Sequence, residues 1–363
     1  MIRLERRLTA PRWLSWVVPL GSLAAALLAG AILILVSGND VVDTYTRIVD
    51  RAFGSADAWT ATIIAARPVN RSGVAAAIAF RMGVFNIGGE GQFVMGAIGA
   101  SWFGLVLGDE LGKAVIPLMV LGGAAAGALW AGIVGVLKTR FNTNEIITSL
   151  MLNYVAINIA YYLIFNSRST WRLLTGSGEQ FPQGKPLPEE AFWPTVTIAG
   201  IAIPLGFILG AVFAVGLWVL YRTTRFGFEV NVIADSPDAA RYAGMRTRRK
   251  VLAVLALSGA AAGLGGAADV GSVRHVLDPK GLSQAGYGYT GIVVAALARL
   301  NPIAVVFVSV LIGGLNNAGR SLQGPDFPAG LVGTLQGLIL FFAVGGEVLA
   351  RYRIRWRRSA VVV

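Results

Sequence analysis

Apolar residues in this chain gather into long unbroken runs instead of alternating or recurring on one helical stripe. The runs fall at roughly 14–36, 68–85, 91–107, 114–137, 146–165, 195–220, 251–268, 302–318 and 329–349, with a shorter one of 13 residues at 286–298. A helix needs about 20 predominantly apolar residues to cross the hydrocarbon core of a bilayer. A run that is apolar on every side also leaves no face for water. The pattern predicts an all-α, polytopic membrane protein. Composition agrees: 55% of the 363 residues are hydrophobic and 14% charged, where a soluble domain carries about 25% charge. Arg3, Arg6, Arg7 and Arg12 precede the first run as they would in a signal peptide. That run has 23 residues, too many for an h-region of about 7–15, and no small-residue cleavage site follows it, so it reads as an anchor.

Net charge is +12, yet the basic residues sit between apolar runs and not on one face. This is a topology signal and not a nucleic-acid footprint. Counting the short run gives ten crossings. With the N-terminus inside, residues 1–13, 138–145, 221–250 and the basic tail 350–363 are cytoplasmic and hold 18 of the 31 Lys and Arg; the outward segments hold 10. That excess predicts cytoplasmic termini at both ends. Outward residues 41–59 mix Val, Tyr, Phe and Trp with Asp and Arg, as a segment lying along the interface would. Residues 166–194, with Pro182, Pro186, Pro188 and Pro194, read as an irregular external loop. The absence of cysteine excludes disulfides and thiol chemistry. A single histidine, His275, argues against a His-built metal site; with Arg274 and Asp278 it is expected in an outward loop without special role.

The chain is expected to form one transmembrane domain, 1–363, with an internal symmetry. Spans at 68–165 and 251–349 make blocks of 98 and 99 residues, offset by five crossings and so inverted relative to one another. Each contains a glycine-rich break near its start, Gly83–Gly91 (GVFNIGGEG) and Gly281–Gly291 (GLSQAGYGYTG). Glycine-interrupted segments at matching places in inverted repeats point to a transport pathway, because unwound backbone persists in a membrane only where protein or a water-filled cavity satisfies it. By contrast, Gly123/Gly127, Gly206/Gly210 and Gly259/Gly263 have the small-xxx-small spacing of close helix packing and need no functional role.

Polar residues at the breaks are the candidate pathway groups: Asn86, Glu90 and Gln92 in the first, and Asn153 on the neighbouring span. Glu90 either caps the 86–91 turn or meets solute. Glu145, Ser149 and Asn153 share one helix face, which either lines a pore or bonds a neighbouring helix. Tyr287, Tyr289 and Gln284 in the second break fit either a ring-containing solute or an interfacial aromatic belt.

No G-x-x-x-x-G-K-[ST] stretch is present: Gly112-Lys113 is followed by Ala and Gly184-Lys185 by Pro. The chain shows no route to hydrolysing ATP and no enzyme signature. Its largest cytoplasmic loop does hold a helix. Ser236-Pro237-Asp238 supplies an N-cap, a proline at the first position and an acid in the first turn, and Gly244 the stop.

Asp238-Ala239-Ala240-Arg241-Tyr242-Ala243-Gly244 resembles the E-A-A-x-x-x-G coupling loop of ABC importer permeases, with Asp in place of Glu. Phe85-Asn86-Ile87-Gly88-Gly89-Glu90-Gly91-Gln92 is similar to the signature of the branched-chain amino acid/ribose/nucleoside permease family. Thr143–Ile147 and Gly291-Ile292 through Leu300-Asn301-Pro302 look like its other blocks. The likeness runs from about 60 to 349 and is greatest to the larger permease of nucleoside importers of the simple-sugar type. It implies a multi-pass subunit of a bacterial plasma membrane that encloses a pathway with a second homologous permease. It implies two cytoplasmic ABC ATPases, which would bind ATP and Mg, and an external substrate-binding protein or lipoprotein. The chain itself would bind no cofactor or metal. Coupling would rest on Asp238, Ala239, Ala240 and Gly244, and the solute would be a nucleoside before a ribose-type sugar or a branched-chain amino acid. A transporter driven by an ion gradient also uses inverted repeats and broken helices, but does not account for these motif blocks.

Overall fold

The computed structural model describes residues 2–6, 13–322 and 330–356. Arg7, Arg12, Arg357 and Arg358, counted above in the basic ends, lie outside the described residues. In chain order the elements are β1 (Ile2–Arg6), α1 (Leu14–Val36), α2 (Val41–Phe53), α3 (Ala56–Arg81), α4 (Gly89–Leu111), α5 (Val115–Phe141), α6 (Glu145–Tyr161), α7 (Ser177–Gln180), β2 (Thr195–Ile198), β3 (Ile201–Pro204), α8 (Leu205–Thr223), α9 (Arg225–Asp235), α10 (Pro237–Tyr242), α11 (Thr247–Asp269), α12 (Pro279–Ala285), α13 (Tyr287–Leu297), α14 (Pro302–Ser321), α15 (Leu331–Arg351) and β4 (Tyr352–Trp356). The described residues divide into two compact units, one made of those up to 54 with those from 315 onward, the other of 55–314.

In the first unit, α1 and α2 meet at a sharp bend of 117°. Asp40 caps α2 by accepting the Asp43 N–H at 2.7 Å. The segment predicted to lie along the interface is thus a helix, with Thr44, Ile48 and Ala52 buried on one side. Ile34, Ile48, Ala318, Leu331, Val332 and Leu335 form this unit's core. β1 and β4 pair antiparallel, Ile2 opposite Trp356.

The second unit is built around α11, which packs on α3, α4 and α5. Its glycines explain the closeness: a Cβ on Gly127 or on Gly259 would run into the other's carbonyl oxygen, and one on Gly96 would strike Gly263. The small-xxx-small pairs of α5 and α11 therefore face each other. Gly206 and Gly210 on α8 do something different, since the side chain of Arg71 lies against both.

Among the described residues, five segments are long and apolar enough to cross a membrane: Gly89–Phe141, Glu145–Asn166, Leu205–Thr223, Thr247–Arg274 and Pro302–Ser321. The first contains two helices, because the chain turns at Gly112, where φ is +55°, and α4 packs along α5. α3 is long but polar in its middle, and α13 is apolar but has only 11 residues.

Three boundaries differ from the sequence-based expectation. The run 195–220 begins as a hairpin, β2 to β3, because its β-branched alternation turns at Ala199-Gly200, both at positive φ. The helix expected from 68 begins at Ala56, taking Arg67 into its interior with Ser55 as its cap. The second break is narrower than its glycines suggest, since α12 and α13 are separated by Gly286 alone, at φ +58°.

Candidate functional site

The two glycine-rich breaks meet. In the first, α3 ends at Arg81 and α4 begins at Gly89, leaving residues 82–88 outside the helices. The freed backbone groups are met by side chains of neighbouring helices, as a buried break requires. Ser149 Oγ accepts the Ile87 N–H at 3.1 Å. Asn153 Oδ1 accepts the Gly91 N–H at 2.8 Å, and its amide donates to the Ile87 carbonyl at 3.0 Å. Ser149 and Asn153 are the buried stripe of α6, so this stripe bonds a neighbouring segment. Glu145, one turn earlier, pairs with Lys138 at 2.6 Å.

Asn86 is the hub of the break. Its amide donates to Gln92 Oε1 at 3.0 Å and to Ser258 Oγ on α11 at 2.9 Å. Its Oδ1 accepts from the Gly88 N–H and from Gln92 Nε2, each at 3.0 Å. Ser258 completes the chain by donating to the Ala75 carbonyl at 2.7 Å. Asn86, Gln92 and Ser258 are all buried, and this saturated network holds α3, α4 and α11 in one register.

Glu90 crosses to the second break. Its Oε2 accepts the Gly288 N–H, at the start of α13, at 2.6 Å. The carboxylate thus satisfies a free donor at a helix N-terminus, where negative charge is favoured. Contact this close requires glycine, because a Cβ on Gly288 would collide with the backbone of Glu90. Tyr287 packs its ring on Phe93 at 5.5 Å, and the Tyr289 hydroxyl accepts from Asn153 at 3.4 Å.

A buried charge cluster lies in the same unit, unforeseen from the sequence. Arg67 pairs with Asp269 at 3.0 Å, both side chains only 2% exposed. Arg274 bonds the other Asp269 oxygen at 2.6 Å and Asp278 at 3.0 Å. Arg274 and Asp278, named in the sequence only as neighbours of His275, extend this ion-pair chain outward from Asp269. Asn70 and Arg71, one turn from Arg67, are fully buried, and the Asn70 amide has no partner among the described residues. Charged residues inside an apolar run were the available signal, and a span started at 68 hid it. His275 has a structural place. Its carbonyl accepts the Leu187 N–H at 2.8 Å, and its ring stacks on Phe192 at 3.7 Å between centroids.

The loop helix α10 forms an exposed knob. Ser236 Oγ accepts the Ala239 N–H at 3.4 Å, and Gly244 takes φ +74° just past the end, as a glycine stop does. Ala240 is buried at the base, whereas Asp238, Ala239 and Gly244 are exposed. Asp238 pairs with Arg241 at 3.2 Å, a solvent-exposed contact of little energetic weight. Tyr242, not singled out from the sequence, is 95% exposed. Beneath the knob, Glu229 on α9 bonds Lys250 on α11 at 2.9 Å and Arg225 at 2.9 Å. The Lys250 hydrogen bond is the main cause holding the Glu229 carboxyl below its ordinary range.

Comparison with known proteins follows the same blocks. A family described as branched-chain amino acid transport system / permease component matches residues 72–344. The chain is 32% identical to a glucose ABC transporter permease protein of Haloferax volcanii, over 97% of this chain and 93% of that one. It is 33% identical to a guanosine ABC transporter permease protein of Bacillus subtilis, over 93% and 94%. It is 28% identical to a nucleoside ABC transporter permease protein of Lactococcus lactis, over 90% and 89%.

Proposed function

Because the chain belongs to the family of branched-chain amino acid transport system permease components, we propose that it is the plasma-membrane permease of an ABC importer whose solute is a nucleoside. As a permease component it is no ATPase; ATP and Mg belong to partner subunits. Those partners are two cytoplasmic ATPases seated on α10, a second homologous permease and an external substrate-binding protein.

The observation that carries the mechanism is the meeting of the two breaks at Glu90 and Gly288. A series of contacts runs to it from the knob. α10 adjoins α9, Glu229 ties α9 to Lys250 of α11, and Ser258 of α11 bonds Asn86 in the first break. Movement of α10 when the ATPases close is therefore transmitted along α11 to both breaks, which shift together and switch access. In this role Asn86, Glu90, Gln92 and Asn153 hold the moving parts of the pathway in register. Asp238, Ala239, Ala240 and Gly244 present the knob to the ATPase groove, with Tyr242 beside them.

Nucleoside as solute is supported by the guanosine and nucleoside relatives. The glucose permease of similar identity is the specific reason to keep a sugar as second choice. Uptake of labelled guanosine and labelled glucose by cells carrying or lacking the importer decides between them. ATP-dependent guanosine accumulation that excess glucose does not suppress is the expected result; glucose accumulation alone would replace the nucleoside assignment.

A further inference from the structure

Helix α6 has two unlike faces. Ser149, Asn153, Ala156 and Ala160 are buried. On the opposite side Tyr154, Asn158 and, in the helical turn just past the end of α6, Tyr162 follow one another at i, i+4 and i+8, all exposed. With Val155 and Ile159 they line an open, shallow depression on the surface of this one segment. Counting from Glu145, Tyr154 and Asn158 lie about 14 and 20 Å along the helix at 1.5 Å per residue. With Glu145 taken at the cytoplasmic boundary, as the sequence reading has it, that is the middle of a hydrocarbon core about 30 Å thick, too deep for the aromatic belt at its edge. Asn158 donates one hydrogen to the Tyr154 carbonyl at 2.7 Å. Its side-chain oxygen and both tyrosine hydroxyls have no protein partner among the described residues. Lipid offers none, so this face requires water, solute or protein against it.

The second break adjoins the same helix. Ser283 Oγ lies 3.3 Å from the Tyr161 hydroxyl. Tyr289, bonded to Asn153, keeps 42% of its surface exposed. Two bare rings, Tyr154 and Tyr162, thus flank in sequence an amide that can both donate and accept.

We propose that Tyr154, Asn158 and Tyr162 form a solute-contacting wall of the pathway that takes a planar ring with polar edges, a nucleobase. Asn158 stands about 6 Å along the axis from Tyr154 of α6 and one turn before Tyr162. A base stacked on one of them therefore presents its edge to the amide, giving stacking from the ring and orientation from the hydrogen bonds. The choice of a nucleobase rests on the proposed nucleoside import; the water-exposed face does not.

The chain contains no cysteine, so Asn158→Cys introduces a single thiol. In the assembled importer in membranes, the expected result is modification by a charged methanethiosulfonate reagent, slowed by guanosine. Reaction only with a lipid-soluble maleimide would put the face against lipid, and reaction with neither would put it under another subunit; both overturn the proposal. Modification by the charged reagent without protection by guanosine, in an importer that does accumulate guanosine, overturns base binding. Wild type that accumulates no nucleoside would instead remove the function assigned above, whatever the thiol does. Tyr154→Leu supplies a second readout. A lipid-facing site tolerates leucine, whereas loss of a stacking platform raises the KM for guanosine uptake roughly tenfold with assembly unchanged.

Discussion

Glu90 and Gly288 stand 198 residues apart in sequence, yet the carboxylate of one accepts the backbone N–H of the other at 2.6 Å. A free donor at the start of one broken segment is thereby met by an acid from the other. The close approach of the two backbones leaves no room for a side chain at 288. Neither break is complete without its counterpart.

Replacing Glu90 with Ala leaves the Gly288 donor buried and unmatched, at a cost of about 1–3 kcal/mol. Uptake is expected to fall while the complex still assembles, and Glu90→Gln, which keeps an acceptor, is expected to retain more of it. Uptake by Glu90→Ala equal to wild type would show that the breaks do not depend on this bond.

Gly244→Leu introduces a Cβ at φ +74°, a conformation costly for a branched side chain. The knob is expected to misalign, so that membrane insertion is normal but solute no longer stimulates ATP hydrolysis. Tyr242→Ala is expected to weaken the same stimulation without disturbing α10, because the ring is bare. Normal solute-stimulated hydrolysis in both variants would argue that the ATPases seat elsewhere.

Asp269→Asn takes the shared counter-charge from Arg67 and Arg274. Removing one partner of a buried ion pair costs about 3–5 kcal/mol, so thermal stability in detergent is expected to drop markedly. An unchanged melting temperature would mean that water or lipid already compensates these arginines.

Glu229 gives a prediction in pH. Its carboxyl is held below the ordinary range chiefly by the Lys250 hydrogen bond. A depressed acid stabilises the fold above its unfolded pKa, and that contribution is lost as pH falls through the folded value. The α9–α11 clasp is therefore expected to be insensitive at neutral pH and to loosen below the usual carboxylate range of about 4.3. Glu229→Gln should reproduce the loosening at neutral pH as faster amide exchange in residues 225–250. Exchange matching wild type in that variant would leave the clasp without mechanical weight.

Local chemistry made much of this molecule readable in the chain. Bulk hydropathy marked the chain as an all-α, polytopic membrane protein. The start of α10 followed from Ser236 and Pro237, its end from Gly244, and the two breaks from their glycines, because caps and turns depend on residues within one helical turn. Close packing of Gly123/Gly127 with Gly259/Gly263 was legible as a tendency, though not as a pair.

Tertiary structure alone decided which polar groups meet. Ser258 joining Asn86, Asp269 compensating Arg67, and the partnership of Glu90 with Gly288 all link segments 172 to 202 residues apart. Sequence spacing carries no register between distant helices. It also shows that α6 has two faces without deciding which is covered. That depends on where the neighbours pack, and packing buries Asn153 against the first break while leaving Asn158, five residues on, in the open.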